Sequence, residues 1–403
     1  MSSLTPRDHV VIVGASLAGL RAAEALRAGG HDGRITLVGA ENHRPYDRPP
    51  LSKQVLTGRA APDATALAVD EGADLEWVLG TAAVGLDLDR RRVQLSEGSD
   101  LDYDGLVIAT GAAPRLLPGA PRGPGIHYLR TIDDSIALRD DLAQARSVVV
   151  IGAGFVGLEV ACSAASLGRP VAVVEALPVP LERSLGLETG RAVLDWHLDK
   201  GMDLRTGVGV ASIVGAERPE SVRLTDGTEI PADVVVIGIG VSPATDWLAG
   251  SGVDLADGVL CDEQLRVLRS GRPLPDVVAA GDVARWRHRR YGETIRVEHW
   301  TNATEAGEAA AQTLLLGEDA ADYSPIPYFW SDQHGVKLQF VGRSATGDET
   351  ALLEGSWSDD RLVIAYGRGA TLVGALALRR PARLMALQRM IAEGAPYPPQ
   401  RLS

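Results

Sequence analysis

"VVIVGASLAGL", residues 10–20, returns as "VVVIGAGFVGL" at residues 148–158. Each copy reads as a buried-strand run, a glycine-rich turn and the opening of an apolar helix. Each is followed by a second strand pattern ending near an acid, "RITLVGAE" with Glu41 and "PVAVVEA" with Glu175. Another apolar run closes each half in a turn, "LVIATGA" at 106–112 and "VVVIGIG" at 234–240. A strand–turn–helix–strand unit used twice predicts two doubly wound parallel sheets, each suited to a nucleotide.

The chemistry of such a unit follows from its backbone. Glycines let the turn tighten and let the main chain approach a pyrophosphate, which sits over the first N–H groups of the helix. An acid about 20 residues further on accepts hydrogen bonds from a ribose. The spacing is 22 residues from Gly19 to Glu41 and 18 from Gly157 to Glu175. The two units differ in one respect. Gly152, Gly154 and Gly157 are all present in the second, whereas Ser16 stands between Gly14 and Gly19 in the first. Glu175 is followed by "ALPVPLER", with no adjacent cation to receive a 2′-phosphate, so NADH is expected over NADPH. Arg183 lies eight residues on and reads equally as a ribose or pyrophosphate contact or as surface.

Composition narrows the class. The chain has 403 residues, enough for two or three domains, and a net charge of −13 that argues against general nucleic-acid binding. The opening "MSSLTPRDH" has no charged-then-apolar leader pattern, and no apolar run approaches the length of a membrane span. The two cysteines, Cys162 and Cys261, form no CxxC and read as small core residues, which argues against a dithiol or a metal centre and for a reducing cytoplasm. The runs "RWRHRR" (285–290) and the late arginines Arg379, Arg380, Arg383 and Arg389 read as solvated faces or as a patch for an acidic partner.

Two dinucleotide sites in one chain suggest a resident flavin and a nicotinamide that comes and goes. The first unit is followed by "RPYDRPPLSK" (44–53), a stiff basic segment whose prolines should keep it out of sheet and helix. Asp282 in "VVAAGDVA" is expected at the start of a helix, either as its cap or as a partner of ribityl hydroxyls.

At this point the ordered set "VGASLAG", "RPYDRPPLSK", "VIATGAAPR", "YLRTIDD", "VIGAGFVGLEVA", "AAGDVA", "VEHWTNA" and "YFWSDQ" resembles the FAD-dependent, NADH-linked ferredoxin reductases. These serve bacterial haem-thiolate monooxygenases and ring-hydroxylating dioxygenases, within the pyridine nucleotide–disulfide oxidoreductase fold. The resemblance implies an α/β chain with two Rossmann-like dinucleotide-binding domains and a C-terminal α+β domain, as in glutathione reductase. It implies a discontinuous FAD domain (1–113 and 246–321), an NAD domain (114–245) and a C-terminal domain (322–403) that covers the flavin and shapes the ferredoxin-docking face.

For FAD the resemblance implies Gly14, Ala15, Ser16 and Gly19 at the pyrophosphate, Glu41 at the ribose and Val84 beside the adenine. Arg48, Lys53 and Arg130 are implied at the flavin end, with Thr110, Gly111, Asp282 and Trp300 completing the site and Trp330 packing near the isoalloxazine. For NADH it implies Gly152, Gly154, Val156, Gly157, Glu159, Glu175, Arg183 and Gly240. An acid usual just before the ribose glutamate is here Ala40, so that role falls to Glu41 alone.

Glu159 is expected in the first turn of its helix, where an acid also serves simple dipole stabilisation. The functional reading pairs it with Lys53 beneath the flavin, because an unpaired buried ammonium is costly and a carboxylate offsets that cost. The expected activity is hydride transfer from NADH to FAD, then single-electron transfer to an acidic two-iron, two-sulfur ferredoxin feeding an oxygenase. Leu51, Ser52 and Lys53 stand where thiol-dependent relatives carry cysteine. Two alternatives remain open: an NADH oxidase or rubredoxin- or nitrite-reductase-linked flavoenzyme, and a non-catalytic NADH sensor resembling apoptosis-inducing factor.

Overall fold

Residues 4–399 are described by a computed structural model. The chain divides into two compact units. The first runs to Asp47 and adds Ala66–Ala113 and Ser242–Pro327; the second comprises Arg48–Thr65, Pro114–Val241 and the chain from Tyr328 onward.

The repeated sequence pattern produces the same sheet in both units. In the first, parallel strands lie in the order Glu76–Leu79, Ile35–Gly39, Val10–Val13, Gly105–Ile108 and Arg272–Ala279. In the second the order is Asp203–Arg205, Val171–Val174, Val148–Ile151, Val234–Ile237 and Ile126–His127, again parallel. The central strands "VVIV" and "VVVI" are buried throughout, as expected of strands covered on both faces. Helices Leu17–Ala28 and Phe155–Ser166 follow them directly.

The second unit also carries an antiparallel sheet in the order Tyr328–Gln333, Val336–Gly342, Thr371–Leu378, Arg361–Arg368 and Glu349–Ser356, followed by the helix Pro381–Glu393. Val150, Leu158, Phe340, Tyr366 and Leu376 belong to one core, so this sheet and the second parallel sheet bury their apolar faces together.

Three local expectations change. Pro49–Ser52 forms a 3-10 turn, because two prolines at its first positions already have helical φ and need no N–H there. Gly281–Val283 is a single 3-10 turn and no helix starts at Asp282, because Ala284–His288 pairs as a strand. That same strand absorbs much of "RWRHRR": Trp286 and His288 alternate into the core, and Arg287 points outward. Among the described residues no helix is long and apolar enough to cross a membrane.

Candidate functional site

The glycines of the two turns divide by what surrounds them. A Cβ on Gly14 would fall 2.0 Å from the Ala109 carbonyl oxygen, and one on Gly19 1.9 Å from that of Gly14. In the second unit the matching distances are 2.3 Å from Gly152 to Gly238 O and 2.2 Å from Gly157 to Gly152 O. Gly14 and Gly152 also have φ of 122° and 103°, a region closed to most side chains. These four glycines are demanded by the chain's own packing. Gly154 is different: a Cβ there would meet no atom within 4 Å. Its bareness serves open space over the helix N-terminus, and Ser16 is the small residue at the same place in the first unit.

Both helix starts fit a bound pyrophosphate. Ser16 and Gly154 are the N-cap residues; the Ser16 side chain does not cap its helix, and Gly154 has no side chain to do so. The first N–H groups are therefore left for an outside acceptor. Val156, in the first turn of the second helix, leaves an apolar side chain 46% exposed. Glu175 is anchored at the end of its strand: one carboxylate oxygen accepts from Ala153 N at 2.7 Å, the other from Leu177 N at 2.8 Å. Glu41, its counterpart, accepts from the Tyr46 hydroxyl. Arg183 is exposed in the first turn of the helix Glu182–Asp199, and Gly240 accepts from Arg115 N at 2.9 Å.

The other residues expected at the flavin are divided between the units. In the first, Thr110 Oγ1 donates to Ala244 O (2.8 Å), Gly111 has φ of 68°, and Ala15 is half-buried at its turn. Trp300 begins the helix Trp300–Leu316 and its indole donates to Asp47 Oδ1 at 2.8 Å. Asp282 sits on its 3-10 turn, where Gly281 (φ 74°) approaches Ala18 of the first helix. Val84 is 55% exposed on an antiparallel strand. In the second unit Arg48 Nη1 donates to Arg130 O at 2.7 Å, and Trp330 is half-buried with the Lys337 ammonium 5.5 Å from its ring.

A buried polar cluster lies in the second unit. Lys53 Nζ lies 2.7 Å from Glu159 Oε2, with side chains only 12% and 5% exposed. Ser52 Oγ donates to the same carboxylate oxygen at 2.6 Å. The other oxygen accepts from Ser331 Oγ (2.7 Å) and Asp332 N (3.2 Å). Lys53 also donates to Pro49 O at 3.0 Å, which the 3-10 turn brings into reach. Ser135 and Ser163 fix the segment by donating to Leu51 O and Ser52 O, each at 2.7 Å. Glu159 is the fifth residue of its helix, beyond the first turn, so its place owes little to the helix dipole. A buried ion pair needs its remaining lone pairs filled, and here two serines and a backbone amide fill them.

Sequence reasoning missed Ser52, Ser331 and Asp332. Their only signal was their place inside the quoted segments "RPYDRPPLSK" and "YFWSDQ", which becomes informative only once a partner acid is known. Cys261 is a core residue, as expected. Cys162 is only half-buried and faces His197 and His334; burial raises its thiol pKa to about 11, so it is no thiolate relay.

The geometry agrees with the family models. Residues 8–307 match the pyridine nucleotide-disulphide oxidoreductase model, and 328–403 the reductase C-terminal model. The chain belongs to the pyridine nucleotide-disulphide oxidoreductases. It is 36% identical to rhodocoxin reductase of Rhodococcus erythropolis over 400 residues, covering 97% of this chain and 91% of that protein. It is 34% identical over 401 residues to the ferredoxin–NAD(+) reductase component of the anthranilate 1,2-dioxygenase system of Burkholderia cepacia, covering 98% and 97%. Among solved structures, the covalent putidaredoxin reductase–putidaredoxin complex superposes with a TM-score of 0.90 at 32% identity, covering 96% of this chain and 93% of that one. The α/β architecture with its C-terminal domain is thus that of the family. Despite the family name, this member has only two cysteines, both free.

Proposed function

We propose that the protein is an NADH-dependent ferredoxin reductase that binds FAD and passes electrons singly to a two-iron, two-sulfur ferredoxin of an oxygenase system. The observation that carries this reading is the buried Lys53–Glu159 pair in a chain whose two cysteines, Cys162 and Cys261, are both free and form no dithiol. FAD, when bound, supplies the step from a two-electron hydride donor to a one-electron acceptor. Gly14, Ala15, Ser16 and Gly19 hold its pyrophosphate, Glu41 its ribose, and Val84, Thr110, Gly111, Asp282 and Trp300 the rest of that half. Arg48, Lys53, Arg130 and Trp330 serve the flavin end. Gly152, Gly154, Val156 and Gly157 receive the NADH pyrophosphate, and Glu175, with Arg183 and Gly240 alongside, its ribose.

In this reading Lys53 supplies a fixed positive charge toward the reacting end of the flavin, and Glu159 holds the ammonium in place. The functional division is an FAD domain (1–113, 246–321), an NAD domain (114–245) and a C-terminal domain (322–403) bearing the docking face. The ferredoxin is acidic and transiently bound, and the reaction takes place in the cytoplasm with no membrane or nucleic-acid partner. The relative from the anthranilate 1,2-dioxygenase system, whose name gives it as a ferredoxin–NAD(+) reductase component, supports the partner class.

The test is NADH-driven cytochrome c reduction by the purified flavoprotein. We expect it to depend on an added two-iron ferredoxin. Rapid oxygen consumption with no ferredoxin present would replace this reading with an NADH oxidase.

A further inference from the structure

Behind Glu159 the hydrogen bonds continue in one direction. Ser331 Oγ, which donates to Glu159, accepts from Gln333 Nε2 at 3.0 Å. That bond orients the Gln333 amide so that its oxygen faces His197 Nε2, also at 3.0 Å. His197 therefore carries its proton on Nε2 and presents the Nδ1 lone pair, which lies 2.8 Å from His334 Nε2. The Cys162 sulfur completes the group: the three candidate ligand atoms lie within 4.8 Å of one another.

We propose that Cys162 Sγ, His197 Nδ1 and His334 Nε2 form a zinc(II) site with three protein ligands and an open fourth position. A thiolate and two imidazoles are a donor set zinc takes in tetrahedral sites, at about 2.3 Å for sulfur and about 2.0–2.1 Å for nitrogen. Those lengths place ligand atoms about 3.3–3.6 Å apart, so the histidine pair must open by roughly half an ångström. Each ligand sits on a different element: the helix Phe155–Ser166, the helix Glu182–Asp199, and the tight turn at His334–Gly335. Both turn residues have positive φ, 52° and 73°, which pins the hairpin that presents His334. His197 is fully buried, whereas Cys162 and His334 are partly exposed and give an ion a way in.

A second feature points the same way. Metal-ligating histidines nearly always give their other N–H to a fixed acceptor, and Gln333 already occupies that position for His197. On binding, the Cys162 S–H bond breaks and an S–Zn bond forms, with one proton released to solvent. The His334 proton moves from Nε2 to Nδ1, so neither imidazole loses its proton overall. The ion would tie both helices to the hairpin that holds Glu159.

The experiment is zinc titration of the FAD-loaded protein by calorimetry, with cobalt(II) as a spectroscopic substitute. One zinc per chain is expected, with a thiolate-to-cobalt charge-transfer band in the near ultraviolet. Cys162→Ala and His334→Asn should each weaken zinc by about 100-fold, the upper end of what losing even an outer-shell partner costs. Asparagine tolerates the left-handed φ of position 334, and flavin content and circular dichroism verify that each variant is folded. Cobalt bound without the thiolate band would overturn the proposal. So would zinc affinity unchanged in both folded variants, or no binding at all.

Discussion

Lys53 Nζ and Glu159 Oε2 meet at 2.7 Å, and each of the two Glu159 oxygens is also held by a serine, Ser52 on one side and Ser331 on the other. The lysine is thereby nearly buried and held against a carboxylate whose own oxygens are fixed. Lys53→Met should slow flavin reduction by NADH about 100-fold, the scale on which one preorganised electrostatic group acts. Stopped-flow absorbance at the flavin band measures it, and an unchanged rate removes Lys53 from the reaction.

Glu159→Leu is expected to do something different. It leaves a buried ammonium and two serine hydroxyls without their shared acceptor, a loss of about 3–5 kcal/mol in stability. Denaturant unfolding would register the drop, and the double variant Lys53→Met, Glu159→Leu should recover part of it.

The glycines allow a clean separation of packing from binding. Gly152→Ala forces a Cβ against Gly238 O and a positive φ on alanine, so it should destabilise by more than about 1 kcal/mol. Gly154→Ala places its Cβ in open space and should cost at most about 1 kcal/mol, the scale of an N-cap change. Its cost appears instead as an NADH KM raised roughly tenfold or more, equivalent to about 1.4 kcal/mol of lost contact. Thermal melts beside steady-state kinetics distinguish the two.

In the proposed reading cofactor preference rests on Glu175, whose carboxylate accepts from Ala153 N and Leu177 N. NADH should reduce the protein much faster than NADPH, because a 2′-phosphate would face a fixed negative charge. Equal stopped-flow rates would refute it. Glu175→Ala should weaken NADH by roughly 10- to 100-fold, since it removes the ribose acceptor and leaves the two turn amides without theirs.

His31 supplies a pH-dependent term in stability. It is buried in the first unit, and that burial, followed by the charge of Arg27, lowers its pKa below the usual 6.5. The unfolded chain then takes up the proton first, so this contribution is present above pH 6.5 and is lost as pH falls below it. Melting temperature should decline from pH 7 toward pH 5, and His31→Gln, neutral throughout, should flatten that slope. Parallel slopes in the two proteins would count against it.

The duplicated sheets were legible because each has a local cause. Val10–Val13 and Val148–Ile151 are too apolar for anything but a doubly covered strand, and Gly14 and Gly152 follow where the chain must turn sharply. Short elements were less legible. The strand after Asp282 is made by pairing with Val259–Cys261 and Glu293–Arg296, which local propensity does not show, and at Pro49–Ser52 the prolines start a 3-10 turn because their fixed φ is already helical.

What the sequence by itself determined is the pair of nucleotide cradles, since strand, glycine turn, helix and acid all fall within one short stretch and obey backbone sterics. What only the tertiary structure decided is the company Glu159 keeps. Lys53 comes from 106 positions before it and Ser331 from 172 after. Cys162, His197 and His334 likewise gather from three separate elements. Contacts at such separations are set by how elements pack and not by any local pattern, so a lysine in a proline-rich loop and a serine on a distant strand carry no mark of sharing one carboxylate.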